Sequence, residues 1–302
     1  EIKGAQESEV RLLGTTLPLR DSEPTTIVTN DSKKKKAKSF YSNEMPDFQN
    51  NVTMPTPYAD VASPKHGDPV RQWGVNKLLN GVEPELVLEG MDSDDSGVNP
   101  PDPNGDVSSD HYIQVINSGS GAIMAIWDKN TGELLQDATS LNTLWEQFGV
   151  TGLGDGVVLY DQVAERWMLS ELGTFGTNAM LIAISETSDP FGAYYVYEFS
   201  APQLPDYPKY GIWSNAYLIT TNEGAETEIP VYALDRQAML DGEPTADMQR
   251  LLALPKFNDN SPFAFQVATA ADWDGDTPPP ANSPQYVVRI YDDAWDGGVD
   301  AL

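Results

Sequence analysis

Residues 157–161 read VVLYD, and after four further residues the chain continues with RWMLS at 166–170. Both runs are short and rich in β-branched, aromatic and long apolar residues, which is typical of β-strands between turns. The first run ends at Asp161, whose short side chain can hydrogen-bond the following backbone and start a turn. This pattern of a strand, an Asp and a turn is the one from which we interpret the rest of the chain.

Similar runs recur from about residue 98 onward. We predict strands at residues 111–117, 122–127, 156–161, 166–171, 179–185, 193–199, 216–221, 229–234, 265–270 and 286–290. Short helices in the connections are predicted at residues 141–148 and 235–240. The endings IWD, LYD, ALD and IYD recur at irregular intervals, at 126–128, 159–161, 233–235 and 290–292.

Many short strands with irregular insertions favour an all-β fold of the β-propeller type, whose blades of about four strands take roughly 40 to 50 residues each. Residues 98–302 would then supply about four blades, or part of a larger propeller. The 302 residues include 24 Gly and 23 Pro, a share that favours short strands and turns over a helical bundle.

The composition excludes several classes of site. The chain has no Cys and only two His, His66 and His111, so disulfides, thiolate chemistry and a multi-histidine metal site are not expected. No stretch reaches the roughly 18 apolar residues that a transmembrane helix needs. We therefore predict no transmembrane segment.

Charge is distributed unevenly along the chain. Residues 1–77 carry a net charge of +1, whereas residues 78–302 carry −29. Such an acidic body repels nucleic acid and anionic membrane surfaces, so we predict no nucleic-acid partner.

Two regions are expected. Residues 1–75 contain a lysine run at 33–38, several Pro and no sustained period of 2 or 3.6, which predicts an extended arm or linker. Residues 76–302 form the predicted propeller or propeller portion. The chain starts at Glu1 without a charged-then-apolar leader, as expected of a mature exported product. It stops where another strand would follow, so we expect either closing strands from the N-terminal region or, as we favour, a longer parent chain.

The runs VVLYD and RWMLS, with PPDPNGDV at 100–107, ISETSDPFG at 184–192 and PDYPKYGIW at 205–213, carry a resemblance. In their order and spacing they resemble large secreted, mostly uncharacterised bacterial β-propeller proteins of the Bacteroidetes-type exported surface group. The resemblance covers residues 85–295 and implies a propeller fold and a secreted, extracellular or cell-surface location. The sequence departs from the group's pattern at Pro103 and Ser108-Ser109, and the group's later blades are missing.

Acidic loops are candidate calcium sites. Oxygen-bearing side chains at alternate positions can present several ligands to one hard cation. The candidate ligands are Asp102, Asn104, Asp106, Asp272, Asp274 and Asp276. The loops do not fit an EF-hand, any bound calcium would be structural, and Asx residues of this kind also cap turns without metal.

A carboxylate pair is the candidate for catalysis. Glycoside hydrolysis uses two acidic side chains, and Asp161 and Asp206 both lie beside strand ends. Turn or salt-bridge roles are the alternative for both residues. The scarce cations Arg166, Lys209 and Arg289 are expected to pair with such carboxylates.

The absence of a nucleophile or cofactor motif favours a non-enzymatic binding or assembly module at the cell surface, with glycan or protein partners or the remainder of a longer chain. One alternative is a secreted polysaccharide hydrolase that uses paired carboxylates. The other is a cargo or subunit of an outer-membrane export or motility machine.

Overall fold

Antiparallel strands make up most of the regular structure in the computed structural model of this protein. The structure describes residues 4–25, 27, 86–98, 100–174, 176–224, 226–255, 268–273, 275, 277–280 and 283–289. The strands are β1 Gln6–Thr15, β2 Asn104–Val107, β3 His111–Ser118, β4 Gly121–Asp128, β5 Leu134–Ser140, β6 Gly154–Asp161, β7 Arg166–Leu172, β8 Ala179–Ser185, β9 Tyr194–Ser200, β10 Asp206–Ile212, β11 Ala216–Asn222, β12 Glu228–Asp235, β13 Thr245–Pro255, β14 Thr269–Ala270 and β15 Val287–Val288. The helices are α1 Ser93–Ser96, α2 Asn142–Trp145 and α3 Arg236–Leu240, with 3₁₀ turns at Leu19–Asp21 and Glu146–Phe148.

The strands form three sheets. One has four strands in the order β2-β3-β4-β5, one has nine in the order β10-β11-β12-β13-β1-β9-β8-β7-β6, and the third pairs β14 with β15. The nine-stranded sheet thus contains two four-stranded antiparallel meanders, β6–β9 and β10–β13, which follow each other in sequence. Its end strands, β10 and β6, contact each other, so this sheet is nearly closed on itself.

Strand β1 joins the two meanders. It pairs antiparallel with β13 from Gln6 opposite Arg250 to Arg11 opposite Thr245, and then with β9 up to Thr15 opposite Tyr195. Because β1 pairs with both β13 and β9, neither of these two strands is an unpaired sheet edge where β1 lies beside it. The predicted boundary at residue 75 therefore does not separate this N-terminal strand from the body. Residues 28–75 of the expected arm lie outside the described residues.

Apolar side chains fill the spaces between successive groups of strands. One cluster joins the four-stranded sheet to one face of β6–β9 and includes Ile113, Met124 and Trp167. A second joins the opposite face of β6–β9 to β10–β13 and includes Ile182 and Tyr217. Strand β8 is buried along its whole length, because its successive residues point alternately into the first and the second cluster. A third cluster joins β11 and β12 to β14 and β15.

The central strands agree with the sequence prediction, since each predicted strand between residues 111 and 234 coincides with an observed one. The two predicted helical stretches coincide with α2 and its following 3₁₀ turn, and with α3. Of the stretch predicted at 265–270, only residues 268–270 are described, and the stretch at 286–290 contains β15.

Five strands were not predicted: β1, β2, β5, β10 and β13. Their sequences are polar, mixed, or interrupted by Pro208, so local composition does not mark them. These strands form because an adjacent strand supplies hydrogen-bond partners for their backbone.

Among the described residues, the helices are too short and polar to cross a membrane.

Candidate functional site

A cavity of about 700 Å³ lies where the first strands of the three four-stranded groups begin. It is lined by Asp102, Pro103, Asn104, Asp155, Gly156, Val157, Asp206, Tyr207, Pro208 and Lys209. Strands β2, β6 and β10 each contribute their start or the residues just before it. The volume falls in the range of small-molecule binding sites, roughly 300 to 1,000 Å³.

The backbone of the cavity wall is strained at three places. Asp102, Asp155 and Tyr207 have φ angles of 46°, 56° and 52°, in the left-handed region that non-glycine residues rarely occupy. Each of the three strand groups contributes one of these residues. Strain of this kind is concentrated at binding and catalytic sites, where it holds a side chain in a required direction.

Asn117, at the end of β3, holds two of the acidic side chains together. Its side-chain nitrogen donates to Asp102 at 3.0 Å and to Asp155 at 3.4 Å, and its oxygen accepts from the backbone N–H of Asp155 at 2.7 Å. The carboxylates of Asp102 and Asp155 are therefore neighbours, although Asp102 precedes β2 and Asp155 lies in β6, a strand of another sheet.

Two of the cavity's acids, Asp102 and Asp206, lie where ionisation is disfavoured. Loss of hydration, followed by the negative charge of Asp155, raises the pKa of Asp102 and of Asp206 above the ordinary aspartate value. Loss of hydration lowers the pKa of Lys209, and the three neighbouring carboxylates oppose that shift. The Lys209 ammonium also lies 3.5 Å from the centre of the Tyr207 ring, in a cation–π contact.

The remaining residues of the first predicted calcium loop bind backbone. Asn104 accepts from the N–H of Val158 at 2.6 Å, and Asp106 accepts from the N–H of Tyr160 at 2.7 Å. Alternate residues of a strand face the same side, so β2 directs both side chains at β6. These bonds cover one edge of the nine-stranded sheet.

The second predicted loop covers the other edge in the same manner, because Asp272 accepts from the N–H of Ile212 at 2.6 Å. Asp274 and Asp276 lie outside the described residues. In the part of the chain that the structure describes, no three His, Asp or Glu side chains are grouped as metal ligands. Structural calcium at these loops stays a prediction.

The two candidate catalytic acids lie in different surroundings. Asp206 lines the cavity, whereas Asp161, at the end of β6, does not. Asp161 is buried and accepts from Arg236 Nε at 2.6 Å and Nη2 at 2.8 Å, and from the Tyr217 hydroxyl at 3.0 Å. These bonds join the meander β6–β9 to the meander β10–β13, which favours the salt-bridge alternative for Asp161.

Sequence reasoning did not single out Asp155, Asn117 or Tyr207 for the cavity, nor Arg236 as the partner of Asp161. The marker available in the sequence was the position of Asp155 directly before a predicted strand. Recognising Arg236 required knowing which meanders pack together.

Comparison with known proteins gives little similarity. Neither a protein-family model nor a curated protein matches the chain. A solved structure of a GH43 β-1,3-galactosidase, BT0265, matches with a TM-score of 0.32 and 12% sequence identity over 46% of this chain. The match covers 32% of that structure, so the chain spans about a third of its length.

Proposed function

We propose that the cavity is the ligand-binding site of a β-propeller and that its ligand is a polyhydroxylated, uncharged glycan. The observation that carries the proposal is the convergence of Asp102, Asp155 and Asp206 on one cavity of about 700 Å³, each from a different group of strands. In the propeller interpretation, β2–β5, β6–β9 and β10–β13 are successive blades, β14 and β15 begin a fourth, and the cavity lies on the axis. The packing of these groups in sequence order supports that interpretation.

The chemistry of the lining supports a sugar. Carboxylates and the Asn104 amide accept or donate hydrogen bonds to several hydroxyls, as polar groups placed in a binding cleft do. Tyr207 is 44% exposed and offers an aromatic ring to the apolar face of a pyranose. Three carboxylates against one Lys209 make the cavity negative, so an anionic polysaccharide is disfavoured.

Export to the cell surface is part of the same proposal. It is supported by the motifs at residues 100–107, 184–192 and 205–213 that resemble exported propellers, and by a body whose net charge of −29 suits an extracellular acidic protein. At the surface, the glycan or a protein partner would be reached without crossing a membrane.

The proposal is tested by measuring binding of neutral and anionic oligosaccharides by calorimetry. Asp206→Asn and Tyr207→Ala should each weaken binding of a neutral glycan by tenfold or more, because each removes a direct contact. Asp137→Asn, on the exposed strand β5, is the matched control and should bind like the parent. Binding of an anionic glycan only, or equal binding by all variants, would contradict the proposal.

Hydrolysis of the bound glycan is a second candidate, favoured by the contact of Asn117 with both Asp102 and Asp155. Glycosidases use two nearby carboxyl groups, one of them with a raised pKa, and burial raises that of Asp102. If hydrolysis occurs, Asp102→Asn and Asp155→Asn should abolish release of reducing ends while glycan still binds. If the parent protein binds the glycan but releases no reducing ends, hydrolysis is excluded and binding is the remaining function.

A further inference from the structure

Glu171, on β7, has a buried carboxyl group behind the cavity wall. Its side chain is 0% exposed and accepts from the Trp145 indole N–H at 2.7 Å and from the Ala122 backbone N–H at 2.6 Å. The backbone N–H of Gly154 is a third donor. A buried carboxylate needs such donors, because it has lost its hydration.

The space around this carboxylate is shaped by two glycines. A Cβ atom added to Gly121 or to Gly152 would overlap the carboxylate oxygens of Glu171. Gly152 is in turn held by the side-chain oxygen of Asn142, which accepts from its N–H at 2.7 Å. The backbone therefore closes on Glu171 from β4 and from the segment before β6, and α2 contributes side chains.

Two short connections lead from Glu171 to the cavity. The first is the backbone, since the donor Gly154 immediately precedes Asp155. The second is the β3–β4 pairing, because the donor Ala122 lies opposite Asn117, whose side chain contacts both Asp102 and Asp155. Both connections end on the same acidic wall.

We propose that Glu171 is a positioning residue of the cavity, whose carboxyl group fixes Asp155 and Asn117, so that the gain or loss of its proton changes the geometry of the acidic wall. This regulatory role rests on the proposed function, since Glu171 would act on the proposed ligand site. The coupling of Glu171 to Asp155 and Asn117 does not require a ligand.

Proton loss from Glu171 would occur at mildly alkaline pH. Burial raises its pKa to about 8, the donors Trp145, Ala122 and Gly154 oppose that rise, and the negative charge of Asp155 adds to it. The groups that face it from β4 and α2 are neutral, and Asp155 of β6 is the charged neighbour. Ionisation therefore places a second negative charge behind Asp155.

The test is a ligand-free NMR titration between pH 6 and pH 10 (a window of about two units on either side of the expected midpoint) on protein carrying ¹⁵N in Trp and Asn. The Trp145 indole signal and the Asn117 side-chain amide signals should move with one common midpoint near pH 8. In Glu171→Gln this transition should disappear from both residues, because Gln does not ionise. A Trp145 transition with a stationary Asn117, or no transition at either residue, would overturn the proposal.

Lys209 is a competing source of an alkaline transition, because its pKa is lowered and it lies in the cavity. Lys209→Met separates the two: the common midpoint should persist, and its loss from Asn117 would assign the transition to Lys209 and overturn the proposal. This variant and the parent titration decide the matter even if Glu171→Gln does not fold. Since no glycan is present, a failure of glycan binding would leave these results unaffected.

Discussion

Asp161 and Asp206 both lie beside a strand end in an acidic chain, yet their surroundings are opposite in character. Asp161 is buried with Arg236 on both of its oxygens and the Tyr217 hydroxyl beside them. Asp206 shares a cavity with Asp102 and Asp155, and burial, followed by the negative charge of Asp155, raises its pKa. Asp161 is paired directly with an arginine, whereas the pKa of Asp206 is raised even though Lys209 lies in the same cavity.

This difference separates a structural acid from a functional one. A compensated pair joins two strand groups, and its removal harms the fold. Carboxylates that crowd one another destabilise the folded state at neutral pH, so their presence is best explained by what they bind. Removal of the two kinds of acid should therefore have opposite effects on stability.

The largest effect is expected from Asp161→Asn. It leaves the buried guanidinium of Arg236, whose side chain is 8% exposed, without its full charge partner. Breaking a buried pair on one side costs about 3 to 5 kcal/mol, and urea unfolding measures this directly.

The control for Asp161→Asn is Asp189→Asn, which breaks the exposed pair between Arg20 and Asp189. Exposed pairs contribute about 0 to 1 kcal/mol, so its unfolding midpoint should hardly move. Equal losses of unfolding free energy in the two variants would show that the buried pair of Asp161 contributes no more than the exposed pair of Asp189.

A smaller, pH-dependent effect is expected from Glu171, which is buried like Asp161 but lies beside the negative Asp155. Because its folded pKa is raised to about 8, its contribution to stability is greatest below the ordinary glutamate pKa and is lost as pH rises through about 8. We expect the parent to lose a few kcal/mol over this interval relative to Glu171→Gln.

The measurement for Glu171 is the free energy of unfolding of both proteins from pH 5 to pH 9 (the interval over which a raised glutamate pKa acts). Glu171→Gln should be less stable at the acidic end, since Gln cannot accept from every donor that the carboxyl group meets, but its curve should be flatter. Parallel curves would mean that Glu171 does not titrate in this interval.

The smallest effect on stability, and one of opposite sign, is expected from Asp206→Asn. Burial, followed by the negative charge of Asp155, raises the pKa of Asp206, so its ionised form weakens the fold above the ordinary aspartate pKa. The uncharged amide of Asn removes this cost. The gain should stay below about 1 kcal/mol, because the half-exposed side chain is screened by solvent. Thermal unfolding at neutral pH compares it with Asp137→Asn, which should show no gain.

Prediction from sequence succeeded where burial alone decides the structure. Strand β8 (AMLIAIS) is apolar throughout and is buried on both faces, so its composition marks it without knowledge of its neighbours. Strand β1 could not be found in this way. It has one fully buried residue, Val10, and it exists because β9 and β13, far away in sequence, offer it two edges.

Individual residues of the cavity could be predicted from the sequence, but their position in one shared cavity could not. Asp102 and Asp206 were both singled out, one as a metal ligand and the other as a catalytic acid, but nothing local shows that they share a cavity. Asp102 is joined to Asp155 by Asn117, which contacts Asp155 across 38 positions of sequence, and such a contact follows from packing. Asp161 could not be assigned to Arg236 for the same reason.

The central claim is that the cavity retains its carboxylates for binding. It is tested most directly by measuring, on the same preparation of Asp206→Asn, the affinity for a neutral oligosaccharide and the free energy of unfolding. We predict that affinity falls at least tenfold while stability stays equal or rises slightly. Unchanged affinity together with a loss of stability would contradict the claim and place Asp206 in the same structural class as Asp161.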